Sequence, residues 1–145
     1  MNVLFDTSIL IPALVEAHPA HKIVVPWFQR VRTGVDSGFI GAHSLAELYS
    51  YLTKAPLQPR ISPAHALQMI ERNVITNFKV IELSHIDYIN IITHTAKRGL
   101  AGGVIYDALI VYAGIKTKVD QIITLNNRDF SRIYPEFADK IVIPQ

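Results

Sequence analysis

Short apolar runs alternate with amphipathic stretches along the whole chain. The first run, Asn2 to Phe5, predicts a strand, and the residues after it place Ile9, Leu10, Ala13 and Leu14 on one side of a helix expected over Thr7 to Glu16. A second helical stretch begins after Pro19 and runs toward Thr33. Pro26 inside it should kink it or start a new helix, and Gly34 ends it. "SGFIGA" predicts a second strand, followed by "HSLAELYSYLTK" with Leu45, Leu48, Tyr49 and Leu52 at helical spacing. "APLQPRIS" reads as a connection, and "PAHALQMIERNVI" opens a helix with proline in its first turn. "FKVIEL" predicts the third strand. "HIDYINIITHTAKRG" is an amphipathic helix closed by Gly99, and the loop "GLAGG" leads into the helix "VIYDALIVYAGIKTK". "VDQIITL" and "KIVIP" predict strands four and five.

Strands alternating with helices in this way predict an α/β fold, a parallel sheet covered by helices on both faces. In such sheets ligands sit outside the carboxyl ends of the strands, where the strand order reverses. The 145 residues, half of them hydrophobic, fit one compact domain over 1–145. No apolar run approaches a membrane span, and the first residues lack the flank of a signal peptide, so a soluble cytoplasmic protein is expected. The absence of cysteine removes disulfides, thiolate metal sites and cysteine nucleophiles. A formal net charge of +2 is compatible with a polyanionic partner and is weak support for one.

Polar residues at four strand ends hold the chemistry. Asp6 follows strand one, Glu47 falls in the first turn after strand two, Asp107 in the first turn after the glycine-rich loop, and Asn126 and Asp129 follow strand four. Each has a capping explanation. Ser44 and Glu47 have capping-box spacing, Asn126 and Asp129 fit an N-cap with an acid in the first turn, and Asp6 or Asp107 can cap a helix. Capping would be served equally by Ser, Thr or Asn, yet three of the junctions, "LFDT", "SLAELY" and "VIYDALI", carry carboxylates in apolar flanks. Acids gathered at one sheet edge repel unless a cation lies among them. Oxygen donors suit Mg²⁺ or Mn²⁺, whereas zinc would normally recruit His or Cys. No nucleophile with a matching base stands out, and "GLAGG" lacks the Gly-Lys-Ser/Thr ending of a P-loop, which leaves metal-assisted phosphodiester hydrolysis.

The segments "VLFDTSIL", "SLAELYSYL", "GGVIYDALIVYAG" and "ITLNNRDF", in this order and spacing, resemble the successive motifs of the PIN domain, whose small members include the VapC toxins. The resemblance implies a PIN-like three-layer α/β/α fold with a central parallel sheet of about five strands. It further implies a Mg²⁺- or Mn²⁺-dependent endoribonuclease acting on RNA, a homodimer, and a small VapB-like antitoxin wrapped over helices near the site. On this resemblance Asp6, Glu47 and Asp107 match the metal-holding acids. Asn126 stands where many relatives have Asp, and Asp129 one helical turn later matches a nearby acidic position. The fourth ligand is then either Asn126 through its carbonyl, with Asp129 completing the charge, or Asp129 acts through water. Thr7, Ser8 and Thr124 match small hydroxyl positions that either orient Asp6 and the strand-four loop or serve ordinary turn bonding.

Other residues carry less. His43, four positions before Glu47, is read as solvated or backbone-bonded rather than as a ligand. Tyr49, Tyr51, Tyr106 and Tyr112 could stack on unpaired bases, but their apolar flanks predict core packing. Arg60, Arg72, Lys97, Arg98 and Arg128 are phosphate-contact candidates or solvated charges. A phosphoacceptor receiver domain is disfavoured because "FDTS" lacks a second adjacent acid and "KIVIPQ" ends without a suitable lysine. A non-toxin PIN nuclease in RNA processing and a non-catalytic PIN-like binding module remain as alternatives. The second would be expected to have lost an acid, and all three are present.

Overall fold

The computed structural model describes residues 1–145, the side chain of Asn127 excepted. The described residues form one sheet of parallel strands: β1 (Asn2–Phe5), β2 (Ser37–Gly41), β3 (Phe78–Ile81), β4 (Gln121–Ile123) and β5 (Ile141–Val142), in the order β3-β2-β1-β4-β5. The helices are α1 (Thr7–Leu14), α2 (His21–Arg32), α3 (Ala42–Lys54), α4 (Pro63–Ile70), α5 (His85–Lys97), α6 (Val104–Thr117) and α7 (Asn127–Ile133). The central strand β1 is apolar on both faces because both are covered. Val3 and Phe5 enter a core shared with α1 to α4, and Leu4 enters the opposite core with α5 to α7. This is the three-layer α/β/α arrangement expected from the sequence.

Several boundaries are tighter than the pattern predicts. The first helix stops at Leu14 rather than Glu16, because Val15 leaves it in an extended conformation and buries its side chain. Pairing in β4 is confined to Gln121–Ile123, and just before it the Asp120 carboxylate accepts the Asn2 N–H at 2.7 Å. The helix after Pro63 is α-helical only to Ile70 and continues as a π-helical turn, Glu71–Ile75. Gly34 and Gly99 stop α2 and α5 as expected, at φ +79° and +68°, a left-handed backbone that glycine adopts without Cβ strain. Among the described residues no helix is long and apolar enough to cross a membrane.

Two contacts hold α2 against the sheet. Buried Asp36 takes a two-pronged hydrogen bond from Arg30, Nε at 2.7 Å and Nη2 at 3.1 Å, which holds its carboxyl below the ordinary range. Phe78 of β3 packs between Phe5 and Phe28, with ring centroids 5.2 and 5.7 Å away. Gly38 of β2 makes that packing possible, since a Cβ there would lie 2.4 Å from Val31 Cγ1 and 2.6 Å from Phe78 Cδ1. Gly38→Ala should therefore destabilise the protein by on the order of 1–3 kcal/mol, as overpacked cores do. Denaturant melts measure this, and an unchanged midpoint would contradict the packing account.

Candidate metal centre

The strand order reverses between β1 and β4: the chain proceeds from β1 to β2 and β3 on one side, then places β4 and β5 on the other. Asp6 and the segment 124–126 straddle that switch point, where a parallel sheet opens a crevice. Asp6 N–H continues the pairing by donating to Ile123 O at 3.0 Å.

Asp6 is 6% exposed and occupies the N-cap position of α1, but its side chain makes no capping bond. Instead Oδ2 accepts the Ser8 hydroxyl at 2.6 Å and the Thr124 hydroxyl at 2.8 Å. Those hydroxyl oxygens in turn accept the backbone N–H groups of Leu125 at 3.0 Å and Asn126 at 2.9 Å. Ser8 and Thr124 both orient Asp6, and Thr124 also makes the turn bond to Asn126, so the two uses the sequence left open coexist there. Its Oδ1 makes no hydrogen bond among the described residues.

Glu47 lies in the second turn of α3, not the first, because that helix already begins at Ala42 with Gly41 as its N-cap. The capping box with Ser44 therefore does not form. Ser44 is buried and accepts the Thr7 hydroxyl at 2.9 Å, and the same hydroxyl lies 3.2 Å from Glu47 Oε1. Thr7 thus serves Glu47 rather than Asp6. His43 is neither solvated nor backbone-bonded: its Nδ1 is 2.7 Å from Glu47 Oε1. The approach is off the N–H axis, so the contact has ion-pair distance without hydrogen-bond alignment, and that nitrogen has no other partner among the described residues. The imidazole stacks on Tyr106, with centroids 5.0 Å apart and planes 15° from parallel. Glu47 Oε2 is unengaged among the described residues.

Asp107 sits in the first turn of α6, and Asn126 Nδ2 donates to its Oδ2 at 3.2 Å. The same amide reaches Asp129 Oδ2 at 3.4 Å, and Arg132 Nη1 lies 3.4 Å from Asp129 Oδ1. Asn126 is at the N-cap position of α7 without capping through its side chain. It presents its amide nitrogen to the acids, so a ligand role through its carbonyl oxygen requires the amide to turn over. Burial, then the charges of Asp6, Asp129 and Glu47 in that order, push the Asp107 carboxyl up to about 7, with the Asn126 hydrogen bond opposing.

The five predicted site residues therefore gather at one edge from β1, α3, α6 and α7. Asp6, Glu47 and Asp107 each have one anchored oxygen and one without a hydrogen bond among the described residues. That is an all-oxygen donor set with unneutralised charge, which fits a hard divalent cation. Among the described residues no three Asp, Glu or His side chains already stand at coordination spacing. Glu47 is held by Thr7 and His43, and Asp129 by Asn126 and Arg132, so these arms must turn in to close a coordination sphere.

One other expectation is corrected in part, Tyr112 alone of the four tyrosines packing against a core. Tyr49, Tyr51 and Tyr106 are not core residues but 43%, 38% and 52% exposed, because α3 buries only Ser44, Leu48 and Leu52 and Tyr106 flanks the site. Tyr112 donates its hydroxyl to Asp87 Oδ1 at 3.2 Å. Arg60, Arg72, Lys97, Arg98 and Arg128 are exposed, and Arg98 Nε donates to Arg132 O at 3.1 Å. The sequence reading missed Ser44 as the partner of Thr7, and it missed the capping box of Ser84 with Asp87, although the S-x-x-D spacing was there to find.

The raised Asp107 carboxyl has a consequence for the metal-free protein. A folded value of about 7 against 3.8 unfolded means that the native state holds the proton more tightly. Its stabilising contribution is complete below the unfolded value, falls through the window between the two and is gone above it. Thermal melts of the metal-free protein should give a lower Tm at pH 8 than at pH 5. Asp107→Asn should flatten that difference and melt higher than the parent at pH 8; equal slopes in the two proteins would refute the charge cluster.

The PIN domain family model matches residues 3–135. Ribonuclease VapC27 of Mycobacterium tuberculosis is 30% identical over 119 residues, covering 79% of this chain and 78% of that protein. Ribonuclease VapC40 of the same species is 31% identical over 105 residues, 72% of each. Among solved structures, VapBC2 from Rickettsia felis bound to a DNA fragment from its promoter shares the fold, with a TM-score of 0.66 at 18% identity over 99% of this chain and 97% of that one. A match spanning nearly the whole length, with the acids set at the switch point of a five-strand parallel sheet, means that the chain belongs to the PIN domain family.

Proposed function

We propose that this protein is an endoribonuclease dependent on Mg²⁺ or Mn²⁺, the toxin of a VapBC-type pair. The observation that carries the reading is the set of unengaged oxygens on Asp6, Glu47 and Asp107 beside a carboxyl raised to about 7. Similarity to VapC27 and VapC40, both named ribonucleases, supports RNA as the substrate class. A divalent cation held by Asp6, Glu47 and Asp107, with Asp129 or Asn126 as the further donor, would neutralise the cluster, orient a phosphate oxygen and acidify a water. Ser8 and Thr124 fix Asp6 so that one oxygen faces the crevice chemistry while the other is occupied. Thr7 anchors Glu47 in the same way. Arg132 partly offsets Asp129 and leaves the other acids uncompensated.

Two partners complete the reading. A VapB-like antitoxin over the helices beside the site would keep the enzyme inactive, which the VapBC fold relative supports by analogy. A homodimer is supported by α5, which leaves Ile86, Ile89 and Ile92 at 60%, 58% and 50% exposure with Tyr88 beside them. Isoleucines three residues apart form a stripe on one side of a helix, an apolar face of the kind that an isologous contact buries.

Purified protein should cleave single-stranded RNA with Mn²⁺ and stop with a chelator. Asp6→Asn, Glu47→Gln and Asp107→Asn should each lower the rate by at least about a hundredfold. Expression of the parent chain should slow growth and that of Asp107→Asn should not. Cleavage that persists in Asp6→Asn and Asp107→Asn would sink the site assignment, and full-rate cleavage in chelator the metal dependence.

The dimer has its own measurement. Ile89→Glu should shift the mass seen by light scattering from two chains to one while the far-UV circular dichroism of the folded chain stays unchanged, because that side chain is exposed within one chain. A parent protein that is already a single chain would remove this partner.

A further inference from the structure

Beside the acids, a groove of about 650 Å³ opens between α1 and α3. Thr7 and Glu47 line it at the catalytic end, and Ile11 forms part of its floor. From Glu47 outward, α3 presents Ser50, Tyr51 and Lys54, at i+3, i+4 and i+7, so they form one stripe about 10 Å long on that helix. The stripe reads carboxylate, hydroxyl, aromatic ring, ammonium. Tyr51 is 38% exposed, and Lys54 is exposed and makes no ion pair among the described residues.

We infer that this groove is a nucleotide subsite: it takes the base of the RNA residue next to the scissile phosphate, stacked on Tyr51, with Lys54 on the following phosphate. The inference rests on the endoribonuclease reading and gives that site a substrate-facing side. Three features select an RNA strand as the occupant. The groove shares Thr7 and Glu47 with the acid cluster, so whatever lies in it is continuous with the group being cut. Its far end carries Lys54, which has no ion-pair partner among the described residues, complementary to a phosphate and opposite in sign to the acids at the near end. Its wall offers an exposed ring and a hydroxyl side by side, the combination that holds unpaired bases by stacking and edge hydrogen bonding. The rest of the lining, Ile11, Ala46, Ala55 and Pro56, is apolar and suits the flat face of a base. The acid end would repel a phosphate placed there without a cation, so the strand's register is set by Lys54 at one end and the metal-charged acids at the other.

The test uses the intact chain with Mn²⁺ and short random-sequence single-stranded RNA, sequencing the 5′ ends of the products. The parent protein should prefer particular bases at one position adjoining the cut. Tyr51→Ala should flatten that preference and raise KM by about tenfold, and Tyr51→Trp should restore both. Tyr49→Ala, on the same helix but outside the groove, should match the parent. Tm of every variant reports folding. If Tyr51→Ala behaves as Tyr49→Ala does while the parent cleaves, the groove is not a base subsite and the nuclease reading stands. A second readout separates the reverse case: RNA containing 4-thiouridine, irradiated with Asp107→Asn protein, should crosslink within residues 46–56. Crosslinks there without any cleavage by the parent would keep the groove as an RNA surface and overturn the nuclease. Crosslinks confined to other segments would overturn the inference and leave the groove to a protein segment.

Discussion

Mutual repulsion among carboxylates at one sheet edge is the constraint around which this fold is arranged. Asp107 and Asp87 make the point because the same chain treats two helix-starting acids in opposite ways. The Lys116 ammonium at 2.7 Å, then the Ser84 N–H, hold the Asp87 carboxyl down at about 2, and Tyr112 also donates to it. Asp107 has one weak amide donor, partial burial and three other acids, and it is driven up to about 7. An acid that serves structure has its charge answered. In the cluster at the switch point, among the described residues, Asp129 alone meets an arginine or lysine, and Asp107 has only an amide.

The sheet makes the cluster possible by fixing the one acid that cannot move. Asp6 follows the most central strand, its backbone N–H still paired to β4, and its carboxylate is clamped by hydroxyls from α1 and from the loop after β4. Because Leu125 and Asn126 donate backbone N–H groups to those same hydroxyls, the loop carrying Asn126 toward α7 is set by the residue that orients Asp6. Glu47, on α3, and Asp129, on α7, are each held by two side chains and lack the backbone pairing to the sheet that fixes Asp6. The arrangement is one acid fixed at the sheet and the others carried on the helices around it.

The order of strands and helices was legible because burial on both faces makes parallel strands continuous apolar runs, and because proline and glycine punctuate the helices between them. The acids were legible as a set because carboxylates inside apolar flanks are costly. What pattern alone misassigned were matters of one residue or one turn. Capping α3 at Gly41 rather than at Ser44 moves Glu47 beyond the first turn and dissolves the capping box, and it frees Ser44 to meet Thr7 across 37 positions of sequence. The tyrosines were misread for a related reason. In α3 a narrow stripe of Ser44, Leu48 and Leu52 satisfies the core, so Tyr49 and Tyr51 fall outside it, and no flank composition reports the width of that stripe.

That narrow stripe also explains how one helix serves two purposes. With its buried side set by residues four apart, α3 leaves Glu47, Ser50, Tyr51 and Lys54 on a neighbouring side, free of packing duties. Stability is then carried by small and aliphatic groups against the sheet, while every polar or aromatic group on the groove side can change without emptying the core. Change on that side of α3 therefore leaves both the core and the hydroxyl clamps of Asp6 intact, because they depend on different faces of different elements.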